Sequence, residues 1–297
     1  MTAPVSVIIP CYNCAQTVGA AVNSVLKQTL LPRELFLIDD GSCDGGKTRA
    51  SLQELKDGFK GEMSLEVLSM SENQGPAAAR NAGWEAASQP YLAFLDADDA
   101  WHPRKLEIQY EWMQAHPEVA LTGHSSLWVR EEKPQFPLPN TWSVWEVKAS
   151  HLLLFNRFLT RCVMVLREVP YRFDPMKRYS EDYLLWLKIV LSGYPAWRLE
   201  LPLAYTYKAD FGSSGLTGHL WRMEKGELNT YWQLYRGKMV SPIAMMGLIP
   251  LSLGKYLRRF LFASVSKRYH SATSASAGDS ALTGRRKPKI PNVKIPR

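Results

Sequence analysis

Six aspartates, Asp39, Asp40, Asp44, Asp96, Asp98 and Asp99, fall just after short apolar runs, and an acidic pair, Glu181-Asp182, heads a further apolar stretch. In open α/β sheets ligands bind outside the carboxyl ends of the strands. Acids after two such strands, joined by a third acidic pair, predict a carboxylate-lined cleft suited to a hard divalent cation with oxygen ligands. Asp96-Ala97-Asp98 carries its carboxylates two residues apart, and because strand side chains alternate, both can point the same way. Asp99 can assist them or cap the next helix. Glu181 and Asp182 stand at a helix head, where the dipole and free N–H groups favour an anion, so one of them is expected to stay ionised at neutral pH.

These acids need a scaffold. Over the first hundred residues, apolar or β-branched runs alternate with amphipathic helical patterns, the mark of βαβ units and a largely parallel sheet. Strands are expected at 5–9, 35–38, 65–68 and 91–95, and helices at 15–28, 47–57, 76–87 and 103–116, the third with Pro76 at its start. After Pro117 the pattern loosens into strands at 119–129 and 161–166, a proline-punctuated loop at 131–140, and a buried helix at 183–191. Residues 212–218, rich in Gly and Ser, read as a mobile loop able to close as a lid. From 272 the composition is that of a disordered basic tail.

The composition fits this picture. With 297 residues, 46% hydrophobic and 22% charged, the chain is not a disordered, collagen-like or disulfide-scaffold protein. The net charge of +8 is unevenly spread: from Lys238 onward there are twelve Lys or Arg and one acid, Asp279, so a +11 tail follows a −3 body. Four cysteines do not make a disulfide framework, and reduced thiols in the cytosol are expected. The N-terminal MTAPVSVIIP has no basic region ahead of its apolar run and reads as a strand, not a secretory signal. The most apolar run, 243–253, holds Pro250 and is too short to span a bilayer.

A competing motif lies at 41–48. GSCDGGKT, from Gly41 to Thr48, satisfies the P-loop pattern between a strand and a helix, with Asp96 as a passable second acidic motif, and alone it would indicate a nucleotide phosphohydrolase or kinase. A phosphate cradle works by aiming N–H groups and a lysine at anions, whereas Asp39, Asp40 and Asp44 would put three negative charges on the same turn. A plain capped turn is the third option. Cys11-x-x-Cys14 has thioredoxin-like spacing without the surrounding residues of that motif, and Cys43 and Cys162 lack zinc-ligand spacing.

The strings VSVIIPCYN, FLIDDGSCDG, ENQGPAAARNAG, YLAFLDADDAWHPRKLE and SEDYLLWL, in this order across 5–190, resemble the family 2 glycosyltransferases of GT-A fold. The resemblance implies an α/β, Rossmann-like, mostly parallel sheet flanked by helices, and an inverting transfer from a nucleotide-activated sugar to a hydroxyl acceptor, with Mg or Mn. Pro10, Tyr12 and Asn13 would form the first strand end, Tyr12 stacking on the base. Asp39 would accept from a base N–H, favouring a UDP-linked donor; Asp40 would support the turn, although spacing does not separate the two. Arg80 and Asn73 would reach toward the nucleotide, Asp96 and Ala97 would line the ribose, and Asp98 would hold the cation. Asp182, beside Glu181, would be the general base. Cys11 departs from the family pattern, and Tyr207-Lys208-Ala209-Asp210 replaces a Tyr-Arg with a nearby histidine, His219 lying further on. A fold-retaining but inactive binding module is a further alternative.

The expected organisation is a catalytic body at 1–237, a basic amphipathic segment at 238–270 and the tail at 271–297. In the segment, Lys255, Arg258, Arg259, Lys267 and Arg268 interleave with aromatics and aliphatics, which fits a helix lying on an anionic membrane, with Pro250 dividing it. Packing against the body is the alternative. No nucleic-acid fold accompanies the charge, so nucleic acid is not an expected partner. The expected setting is cytoplasmic, peripheral on the inner face of the cell membrane, with a lipid-linked or envelope glycan as acceptor.

Overall fold

The computed structural model describes residues 2–129, 137–207 and 220–280, the last stretch with side chains to 261. Nine strands form one mixed sheet. Its first half is parallel, in the order β3 (Ser64–Ser69), β2 (Leu31–Asp39), β1 (Thr2–Cys11), β4 (Tyr91–Phe94). The helices α1 (Val18–Leu26), α2 (Lys47–Gly58) and α3 (Pro76–Ala86) make the crossovers. Because helices cover both faces, the strands are apolar throughout rather than alternating. Val7 and Ile9 of β1 pack with Val18 and Val22 of α1, while the intervening Ile8 packs with Trp84 of α3 and Phe94.

The second half is mixed. β8 (Met164–Leu166) runs antiparallel to β4, β6 (Leu121–Trp128) antiparallel to β8, and β9 (Ala196–Thr206) parallel to β6. β7 (Val144–Glu146) pairs with the start of β9, and β5 (Asp99–Trp101) with its end. β5 follows β4 directly in sequence yet lies four strand steps away in the sheet. Laid flat, four steps would span about 19 Å, whereas the five residue steps from Phe94 to Asp99 reach at most about 18 Å. The sheet must therefore curl, and register shifts between His124 and Ser126 supply the irregularity that bends a ladder.

Several elements differ from the expected ones. The strand expected at 161–166 is a 3-10 turn, Thr160–Cys162, followed by the short β8. The helix expected at 103–116 is α4 (Lys105–Ala115). β5, β7, β9, α5 (Ala149–Leu154) and α7 (Leu220–Arg236) carry no expected counterpart. The buried helix, α6 (Glu181–Leu191), starts two residues early, which brings both acids into its first turn.

The described residues divide into a compact unit ending at Leu253 and a second unit from Gly254. Val240, Met245 and Leu248 belong to the main core, so the body extends past the boundary expected at 237. Pro250 does not divide α8 (Pro242–Ser280). A proline inside a helix loses one N–H bond, at about 3 kcal/mol, and the burial of Met245 and Leu248 just before it offsets that loss. The helix also continues through 271–280, where a structureless tail is expected; the loop at 212–218 and the end of the tail lie outside the described residues. Among the described residues no helix is long and apolar enough to cross a membrane.

Candidate active site

The parallel strands end together at one edge of the sheet, where the loops after β1 and β2 are laced to each other. Asn13, in the left-handed region at φ 48°, donates its N–H to Ser42 Oγ at 3.1 Å and accepts from the Cys43 N–H at 2.9 Å. Tyr12 is 45% exposed, its hydroxyl 3.4 Å from Cys43 Sγ. Pro10 is a half-buried member of β1 in register with Ile38. All four cysteines are free thiols.

Asp39 and Asp40, inseparable by spacing, have different environments. Asp40 accepts from the backbone N–H groups of Gln74 and Gly75, at 2.8 and 2.9 Å, and from Asn73 Nδ2 at 3.1 Å, so it anchors the head of α3. Burial raises its carboxyl and these N–H groups oppose the rise. Asp39 is 1% exposed; its Oδ1 accepts from the Ser42 N–H at 3.0 Å, while Oδ2 makes no hydrogen bond and has the Arg49 guanidinium 3.7 Å away. An unbonded buried carboxylate oxygen is costly unless a ligand satisfies it. Gly41, at φ 62°, permits the close approach of the two loops: a Cβ there would lie 2.4 Å from the carbonyl carbon of Glu72.

The same geometry corrects the P-loop alternative. The carboxylate of Asp44 accepts from the Thr48 N–H at 3.0 Å and from its hydroxyl at 2.7 Å, filling the head of α2 with the protein's own anion. Thr48 is buried, its hydroxyl also accepting from the Cys14 N–H at 2.8 Å, and Lys47 is exposed to solvent. The N–H groups that would cradle a phosphate are spent.

Asp96, Ala97 and Asp98 form the turn between β4 and β5, with the Asp99 N–H donating to the Asp96 carbonyl at 3.1 Å. Asp96 and Asp98 are half-buried and Ala97 is buried between them. Asp99 is buried and faces Arg161 at 3.5 Å; burial pushes it up to about 7, Arg161 opposing and Asp96 and Asp98 adding to the rise.

Arg80 connects this turn to the acidic pair. It is buried, and its two amino groups donate to Asp96 Oδ1 at 2.8 Å and to Glu181 Oε1 at 3.0 Å. Burial opposes its charge, but Asp96 and Glu181 outweigh that and hold its proton more firmly than usual. Asn73 does not join Arg80; its carbonyl oxygen accepts from Arg178 at 3.0 Å. Glu181 is pushed up to about 7 by burial and then by Asp182, with Arg80 opposing. Asp182 is also raised by burial, against the Tyr183 N–H at 2.7 Å, Arg80, the Thr160 hydroxyl at 3.3 Å and Asn156 Nδ2 at 3.4 Å. The helix head therefore does not hold these acids in the ordinary carboxylate range, because desolvation exceeds the dipole's help.

The expected residues thus gather at one sheet edge, apart from Asp40 and Asn73, which are occupied in supporting α3. Asn156, Thr160, Arg161 and Arg178 were not expected there. They lie in irregular segments without periodicity, and only a polar string around 156–161 hints at them.

Comparison with known proteins gives this arrangement a family. The glycosyl transferase family 2 matches residues 6–179. The chain is 32% identical over 192 residues to the UDP-Glc:alpha-D-GlcNAc-diphosphoundecaprenol beta-1,3-glucosyltransferase WfgD of Escherichia coli, covering 63% of this chain and 69% of that one. It is 32% identical over 235 residues to the putative teichuronic acid biosynthesis glycosyltransferase TuaG of Bacillus subtilis, covering 78% and 87%. Among solved structures, S. aureus TarS 1-349 in complex with UDP-GlcNAc superposes with a TM-score of 0.64 at 18% identity over 87% of this chain and 72% of that one. The mannosyltransferase PcManGT of Pyrobaculum calidifontis, in complex with GDP-Man and Mn2+, gives 0.62 at 17% identity over 96% and 82%. Those identities speak for the fold, and with a family match over more than half of its length the chain belongs to glycosyltransferase family 2, as an α/β glycosyltransferase of GT-A type.

Proposed function

We propose that this glycosyltransferase moves a sugar, with inversion, from a UDP-linked donor to a hydroxyl of a lipid-linked or envelope glycan, assisted by Mg or Mn. The observation that carries the reading is Arg80, which ties the Asp96 turn to the Glu181-Asp182 helix head and so brings donor and acceptor chemistry to one edge. The unbonded Oδ2 of Asp39 supports recognition of a base with an imino N–H, such as uracil, with Tyr12 available to stack on the ring. Arg80 holds one oxygen of Asp96 and leaves the other for a ribose hydroxyl.

Among the described residues no group of three or more His, Cys, Asp or Glu could hold a metal ion alone. One hard carboxylate, Asp98, fits a cation whose other ligands are substrate phosphates and water. When bound, such an ion offsets the charge that grows on the departing diphosphate. Asp182 removes the acceptor's proton, its carboxylate positioned by Thr160 and Asn156 and made more basic by burial, while Glu181 shares the titration of the pair.

The names of WfgD and TuaG support an acceptor in envelope glycan synthesis. The basic stretch from 238 supports a peripheral place on the anionic inner face of the cell membrane. A thermal-shift panel of nucleotide sugars with and without manganese tests the donor assignment. A UDP-sugar and manganese should raise the melting temperature together, and a shift with ATP alone would overturn it.

A further inference from the structure

We propose that the hairpin of α7 and the first part of α8, to Leu253, is the surface by which the protein lies on an anionic lipid bilayer. This rests on the reading of a membrane-bound acceptor, and it assigns the contact to a folded face within the compact unit rather than to the basic chain beyond 253. The two helices run antiparallel across a turn in which Lys238 is left-handed at φ 57°, and Ser252 Oγ donates to Glu224 Oε1 at 2.7 Å in the buried seam between them. Tyr231 and Leu234 of α7, with Met245 and Leu248 of α8, turn into the core.

The outward side is also apolar. Trp232 is 52% exposed, Ile243 82% and Met246 77%, and Tyr235, Ile249 and Leu253 are exposed as well. Positions 243, 246, 250 and 253 recur at helical spacing and form one stripe on α8; Trp232 and Tyr235 stand three apart on α7. Single exposed hydrophobic residues are ordinary, but a contiguous set on paired helices marks an interaction surface.

The charges around it identify the partner. The exposed charged side chains of residues 220–253 are Arg222, Lys225, Arg236 and Lys238. Glu224 is buried against Ser252, and Glu227, half-buried, accepts from the Tyr231 hydroxyl at 3.0 Å. An apolar stripe with interfacial aromatics and an all-basic rim, on a body whose first 237 residues carry −3, matches the headgroup layer of an anionic bilayer.

Co-sedimentation of the full chain with phosphatidylcholine vesicles, with and without an equal part of phosphatidylglycerol, tests the proposal. The wild type should bind the anionic vesicles, and Ile243→Asp with Met246→Asp should weaken binding at least about tenfold, while the thermal shift with a UDP-sugar persists. Lys255→Gln, Arg258→Gln and Arg259→Gln together should weaken it less. The proposal is overturned if the aspartate variant binds like wild type, or if only the triple variant loses binding. Vesicle-free dimers that the aspartate pair disperses would overturn it too, since the face would then belong to a second copy. Absence of wild-type vesicle binding with the UDP-sugar shift intact sinks the docking surface alone; absence of that shift with vesicle binding intact sinks the donor reading alone.

Discussion

Arg80 donates to Glu181 at 3.0 Å, joining α3 to the head of α6 across 101 residues of sequence. Its other amino group is held by Asp96, so one buried cation balances carboxylates from both sides of the cleft. Arg80→Gln leaves those carboxylates without a counter-charge, a change that typically costs about 3–5 kcal/mol. It should also raise the titration of the Glu181-Asp182 pair. The acid limb of the kcat/KM–pH profile should move to higher pH, and an unmoved limb would show that Arg80 does not set the charge of the pair.

Glu181 is pushed up to about 7 from an ordinary 4.5. The folded state therefore holds this proton more tightly than the unfolded chain, so the stability it contributes is complete below about 4.5 and is lost as pH rises toward 7. The loss should be on the order of 1–3 kcal/mol. Urea melts between pH 4 and 8 should show a fall that is shallower in Glu181→Gln, and equal slopes in both proteins would refute the assignment.

Asp182→Asn and Asp98→Asn should fail differently. The first removes the base and should lower kcat by about 10²–10⁴ while donor affinity holds. The second should weaken the manganese-dependent part of donor binding. Calorimetric titration with UDP-sugar, with and without manganese, separates the two, and normal turnover in both variants would point to neither role.

At the head of α2 the expectation is an asymmetry. Asp44→Ala removes the bonds to Thr48 and should cost about 1 kcal/mol of stability, whereas Lys47→Ala, at an exposed position, should leave turnover unchanged. Loss of activity in the lysine variant would revive a phosphate-binding role for this loop.

Gly41→Ala should be among the most damaging single-methyl changes. The new Cβ would meet the Glu72 backbone at 2.4 Å on a left-handed residue, and a destabilisation of about 2–4 kcal/mol is expected. Thermal denaturation would register it, together with weaker donor binding as Asp39 and Asp40 shift.

The parallel half of the sheet was legible in the sequence because buried parallel strands are unbroken apolar runs between amphipathic helices, and the DxD turn because its residues are contiguous. The division of labour between Asp39 and Asp40 was not, since it depends on which carboxylate reaches the Gln74 and Gly75 amides 34 and 35 residues on. Arg80 was visible as a polar residue on an apolar helix, but its partners are fixed only by tertiary contact. The three-residue β5 has no signal apart from β9, which lies far along the chain. The P-loop pattern matched letter for letter because such a pattern records residue types and not the sign of the charge already seated at the helix head.

The pairing of β5 with β9 sets a timetable for synthesis. Asp99 finds its strand partner in Thr206, 107 residues later. At roughly 5–20 residues per second, translation needs on the order of 5–20 s to cover that distance. A nascent chain that already carries Asp96 and Asp98 has no far strand on which to seat Asp99 beside them, so the enzyme is silent until its catalytic body is almost entirely out of the ribosome. A chain released early would hold both aspartates of the motif without the strand that seats the turn, and activity becomes a readout of completed synthesis.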